Sequence, residues 1–117
     1  MANEINVSGS MSVSNGNLSD NRSYSNSTIT QTTAGMVRNT QAIPTSNTAL
    51  ALGGISSVGV ARFKNLDSTN YIEIGLTGSY FIRLLAGEEF GPVRIVGTPY
   101  ALANTATVEL DYTIYEL

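Results

Sequence analysis

Apolar residues in this chain recur mostly at every second position, in short stretches separated by turn formers. Val108, Leu110, Tyr112 and Ile114 alternate with Glu109, Asp111, Thr113 and Tyr115. That is the period of a strand with one buried face. Tyr71 to Leu76 repeats the pattern, with Ile72, Ile74 and Leu76 on one face and Tyr71 and Glu73 on the other. Val58–Phe63, Tyr80–Leu85 and Val93–Val96 read as further strands. Between them lie Asn65-Leu66-Asp67-Ser68-Thr69-Asn70, Thr77-Gly78-Ser79 and Ala86-Gly87-Glu88-Glu89, which are rich in residues that turn the backbone. Thr48–Leu52 and Tyr100–Asn104 are each long enough for one helical turn and too short for a stable isolated helix.

The chain changes character near Pro44. Before it, nearly half the residues are Ser, Thr or Asn. Ile5, Val7, Met11 and Val13 still alternate with polar positions, and Asn15-Gly16 marks a turn. Ser23–Thr33 reads as an edge strand or an arm laid on a neighbour, and its low hydrophobicity also leaves a disordered segment open. The expected organisation is therefore residues 1–44 as N-terminal strands or an assembly arm, and residues 45–117 as the body. Closely spaced short strands point to an all-β fold, an antiparallel β-sandwich of jelly-roll-like type.

Composition narrows the function. Only 13% of the 117 residues are charged, about half the usual share. Such a surface can lie against neighbours without desolvating many ions. Net charge is −3, and Arg22, Arg38, Arg62, Lys64, Arg83 and Arg94 lie singly along the chain. Phosphate binding needs clustered cations, so no nucleic-acid partner is expected. No apolar run is long enough to span a bilayer as a helix, no membrane partner is expected, and Met1–Val13 lacks the pattern of a signal peptide.

The chain has no His and no Cys. That removes a Ser-His-Asp triad, a Cys nucleophile, disulfides and the usual zinc ligands. No phosphate-cradling glycine loop or EF-hand loop occurs either. The carboxylates remain. Glu88 and Glu89 are adjacent, but on an extended chain they point opposite ways and fit a solvated turn better than a glycosidase pair. Asp67 and Asn70 can cap turn amides more readily than they can hold Ca²⁺, and Asp111 lies elsewhere. Tyr24, Tyr71, Tyr80, Tyr100, Tyr112 and Tyr115 are candidates for a sugar platform, for subunit contacts or, in the case of Tyr112, for the core. Arg62 and Lys64 share one strand face, with Glu73 as the expected cross-strand partner. No catalytic, cofactor-binding or metal-ligating residue is assigned, no cofactor is expected, and the chain is read as no enzyme.

One segment is more distinctive. Phe63-Lys64-Asn65-Leu66-Asp67-Ser68-Thr69-Asn70-Tyr71-Ile72-Glu73-Ile74-Gly75 is followed by Phe81–Leu85, Ala86-Gly87-Glu88 and a last strand Ala106–Ile114. This layout, over roughly residues 54–117, resembles small structural virion proteins of tailed bacteriophages, of the decoration or head-completion type. The resemblance implies a multimerising sandwich and no catalytic residues. The expectation is a structural subunit of a phage particle: capsid decoration or cement, or a head–tail or tail component. It would act as a homo-oligomer with other virion proteins (capsid, portal or tail), in the virion after assembly in the host cytoplasm. The alternative is a β-sandwich module binding carbohydrate or a host surface.

Overall fold

The structure, a computed structural model, describes residues 4–117 apart from the Asn26 side chain, so residues 1–3 of the expected N-terminal segment lie outside it. Ten strands and no helix are found among the described residues. The chain separates into two units at Thr33/Ala34. Pro44, where the composition changes, lies within the second unit.

The first unit is a long antiparallel hairpin of β1 (Ile5–Asn15) and β2 (Leu18–Ile29). The two-residue loop Gly16-Asn17 closes it, with Gly16 at φ 59°, a conformation that glycine adopts without a Cβ penalty. The register runs unbroken from Gly9↔Tyr24 to Asn15↔Leu18, with an irregularity between Val7 and Gly9. Glu4 accepts a hydrogen bond at 3.0 Å from the Gln31 amide across the open end.

The second unit holds β3 (Met36–Ile43), β4 (Thr48–Ala49), β5 (Val58–Asn65), β6 (Ile72–Leu76), β7 (Ser79–Leu84), β8 (Glu89–Arg94), β9 (Tyr100–Ala103) and β10 (Val108–Glu116). They form two four-stranded antiparallel sheets, ordered β3-β10-β5-β8 and β4-β9-β6-β7. Early strands pair with late ones: β3 with β10, β4 with β9, β5 with β8, β6 with β7. This nesting is consistent with the jelly-roll-like arrangement. The inner faces supply one apolar core, with Phe63, Tyr112 and Ile114 from the first sheet and Ile72, Ile74 and Ala101 from the second. The body is therefore an all-β antiparallel sandwich.

Three local expectations change. Thr48–Leu52 and Tyr100–Asn104 form no helical turn; they contain β4 and β9, which pair Thr48↔Ala101 and Ala49↔Tyr100. Pairing to a buried sheet overrides a five-residue helical preference. Leu76 does not share the burial of Ile72 and Ile74: it is the last residue of β6 and is exposed, while Gly75 is buried. The register shift opposite Ile74 and Gly75 leaves Phe81 of β7 as the extra, unpaired residue. A Cβ on Gly75 would press on the Ser79 carbonyl and come within 2.8 Å of Tyr80 Cα, so the close approach requires glycine. Finally, β3 lies before Pro44, in the stretch expected to be arm. It carries few large apolar groups, yet it pairs along eight residues with β10.

The buried polar groups are satisfied. Among the described residues no buried side-chain nitrogen or oxygen lacks a partner. The Tyr112 hydroxyl lies 2.7 Å from the Ala51 carbonyl and 3.0 Å from Gln41 Oε1, which accept its proton, and it receives Asn39 Nδ2 at 3.2 Å. Gln41 also accepts from the Ala51 amide at 2.9 Å, tying the β4 segment to β3.

Candidate functional site

The candidate carboxylates are engaged by ion pairs and turn amides. Glu88 folds back on its own turn, accepting from the Leu85 amide at 2.8 Å. Glu89 opens β8 and meets Arg62 at 2.6 Å, and Arg62 also reaches Asp111 at 3.4 Å. The adjacent acids thus serve separate roles. The Arg62 hydrogen bond holds the Glu89 carboxyl below its ordinary pKa. The expected Arg62/Lys64 pairing with Glu73 is corrected: Glu73 lies in the other sheet and pairs with Arg83 on β7 at 2.7 Å. Arg83 also stacks its guanidinium 4.1 Å from the centre of the Tyr71 ring. These ion pairs are largely exposed, so they contribute little to stability.

Asp67 and Asn70 close a turn. Asp67 Oδ2 accepts from the Asn70 amide at 2.6 Å and the Thr69 amide at 2.9 Å, which lowers its pKa. No three acidic groups gather to hold a metal ion among the described residues. Glu116 is the most enclosed acid, and the sequence reading missed it. Its Oε2 accepts from the Ser56 amide at 2.8 Å, the Ser56 hydroxyl at 3.1 Å and the Ser57 amide at 3.3 Å, which holds its pKa low. It pins the segment before β5 to the end of β10. These bonds make it a structural residue.

Tyr80 and Tyr100 pair on either side of Gly75 and so share one face of their sheet, while the other tyrosines of the body take separate roles. Tyr112 is in the core, Tyr71 lies under Arg83, Tyr80 bonds the Asn47 side chain, and Tyr115 alternates to the face opposite Tyr112. A small apolar cleft of about 200 Å³ is bordered by Phe63, Ile74, Phe81, Phe90, Ile95 and Val96. Its volume suits one small apolar group.

The feature with the clearest surface chemistry is the β1–β2 ribbon. Directly paired residues in an antiparallel hairpin put their side chains on the same face. One face of residues 9–24 therefore carries the pairs Ser10↔Ser23, Ser12↔Asn21 and Ser14↔Ser19, all small and polar. The other carries Gly9↔Tyr24, Met11↔Arg22, Val13↔Asp20 and Asn15↔Leu18. Tyr24 lies over Gly9, where an added Cβ would come within 3.1 Å of its ring. On this face Met11 is 73% exposed, Leu18 56%, Tyr24 49% and Val13 42%. Four large apolar side chains in a row on so narrow a ribbon are poorly suited to water. The sequence pattern had shown Met11 and Val13; the residues opposite them become visible only with the register. No family model matches the chain, and no similar curated protein or solved structure was found at a significant level.

Proposed function

We propose that this chain is a non-enzymatic structural subunit of a tailed-phage particle, as capsid decoration or cement or as a head–tail or tail component, acting through self-association and subunit contacts. The observation that carries the reading is the ribbon. A two-stranded hairpin is marginal by itself in water and gains stability when a face is covered. This one presents a Ser/Asn face and an apolar face, which is the pattern of a strand pair made to be covered on one side. The body adds a sheet surface with few charges, suited to packing beside neighbours. The sandwich architecture is one that capsid proteins use, which supports the setting by analogy only. The segment resembling phage virion proteins, Phe63–Gly75, holds the end of β5, a capped turn and most of β6, and its Asn65 and Asp67 side chains hold that turn.

The test is to express the chain together with the shell and tail proteins encoded beside it and to isolate the particles. Quantitative mass spectrometry is expected to find it at a fixed ratio to a shell or tail protein. Particles that form normally without it, and leave it wholly in the supernatant, contradict the reading.

A further inference from the structure

We infer that the apolar face of the β1–β2 ribbon docks on the same face of a second copy, about a two-fold axis in the plane between them and perpendicular to the strands. The inference rests on the assembly reading above and names the partner and the geometry.

The register dictates this geometry. The face has four levels along the strands: Gly9/Tyr24, Met11/Arg22, Val13/Asp20 and Asn15/Leu18. A two-fold axis at the level of the Ser12↔Asn21 pair exchanges the first level with the fourth and the second with the third. It keeps each β2 residue over β2 of the second copy. Asp20 then lies over the second copy's Arg22, and Arg22 over its Asp20. Val13 meets Met11 and Met11 meets Val13. Leu18 and Asn15 meet the level at which the Tyr24 ring lies over Gly9. Each charge faces its opposite and each large apolar group faces another. The other in-plane axis, along the strands, would place Asp20 over Val13 and Arg22 over Met11, burying both charges against apolar groups. An isologous contact demands this kind of self-complementarity. Asp20 and Arg22 are also the only charged residues between Gly9 and Tyr24.

The contact is small. Its paired residues span about 20 Å at roughly 3.4 Å per residue, far less than a standard interface provides. The pairing is therefore weak for an isolated pair and depends on concentration, as suits a part that is repeated many times in an assembly.

Charge reversal tests it in the full chain by sedimentation equilibrium. Wild type is expected to dimerise as concentration rises. Asp20→Arg alone places four arginines in the contact and Arg22→Asp alone places four aspartates; each is expected to weaken dimerisation roughly tenfold or more, because two attractive pairs become repulsive. An equimolar mixture of the two variants restores opposite charges at both positions and is expected to dimerise again, and so is the double variant Asp20→Arg/Arg22→Asp. Self-association of either single variant at wild-type strength, or failure of both the mixture and the double variant to associate, overturns the docking. If wild type associates and the single variants match it, the assembly reading survives with a different contact. If wild type stays a monomer at every concentration, both fail.

Discussion

Ile114→Ala is expected to cost the body about 2–5 kcal/mol, the range for deleting most of a buried aliphatic side chain. Ile114 is wholly buried on β10, which lies between β3 and β5, and it pairs with Val37 on one side and Ala61 on the other. Both flanking strands are held by β10, so the surroundings have little freedom to collapse into the gap. A deletion that cannot be refilled loses the transfer free energy and leaves a cavity besides. Denaturant melts of the two proteins check the value. A loss below about 0.5 kcal/mol, the usual range for a surface site, would place Ile114 outside the core. Leu76→Ala serves as the control: Leu76 is exposed at the last position of β6, and its truncation is expected to stay within that same small range.

Asn65→Ala is the second large loss. Asn65 is wholly buried, and its amide donates to the Asn70 carbonyl at 2.9 Å and the Leu84 carbonyl at 3.0 Å. Its Oδ1 accepts from the Asp67 amide at 2.8 Å. One side chain thus joins the end of β5, the following turn and the end of β7. Alanine leaves three backbone groups without these partners, at about 1–3 kcal/mol for each that water cannot reach. Water reaches part of the turn, so a total of about 2–4 kcal/mol is expected. For a body of this size, that corresponds to a fall in Tm of more than about 10 °C. Hydrogen exchange is expected to accelerate first at Leu66–Asn70. An unchanged Tm would mean that the Asp67 cap alone holds the turn.

Legibility in the sequence follows physical scale. Strands whose alternation is their own, such as Val108–Ile114, could be read directly, because one buried face writes a period of two. So could the turn Asn65–Asn70, whose Asx side chains act on neighbouring amides. β3 was hidden because its neighbour β10 supplies most of the apolar surface; Met36–Ile43 contributes mainly hydrogen bonds and Val37 and Ile43. β4 and β9 were hidden because their pairing is long-range, between residues about fifty positions apart in sequence. Leu76 keeps the alternation of Ile72 and Ile74 yet is exposed at the last position of β6, a limit that alternation alone does not mark. Glu116 looked like any terminal surface acid, since the amides it collects belong to Ser56 and Ser57. The ribbon was half legible. Met11 and Val13 were visible as a stripe, and the Asn15-Gly16 turn was recognised. Counting outward from that turn, with a two-residue loop, pairs Val13 with Asp20 and Met11 with Arg22. The sequence therefore held the information for the proposed contact, and the loop length was the missing step.

In the proposed reading, labour in this chain is divided between a body that folds by itself and a ribbon that assembles. The buried core cluster runs from Ile43 to Ile114 with Val37 packed against it, and β3 begins at Met36, so a chain beginning at Ala34 retains every strand of the sandwich. Sedimentation velocity of the full chain and of this shortened chain, over the same range of concentrations, tests the division most directly. The full chain is expected to rise above its single-chain mass with concentration. The shortened chain is expected to remain a folded monomer throughout, with the circular dichroism of a β protein. If the shortened chain associates as strongly as the full one, or is unfolded, the ribbon is not the assembly element and the division is contradicted.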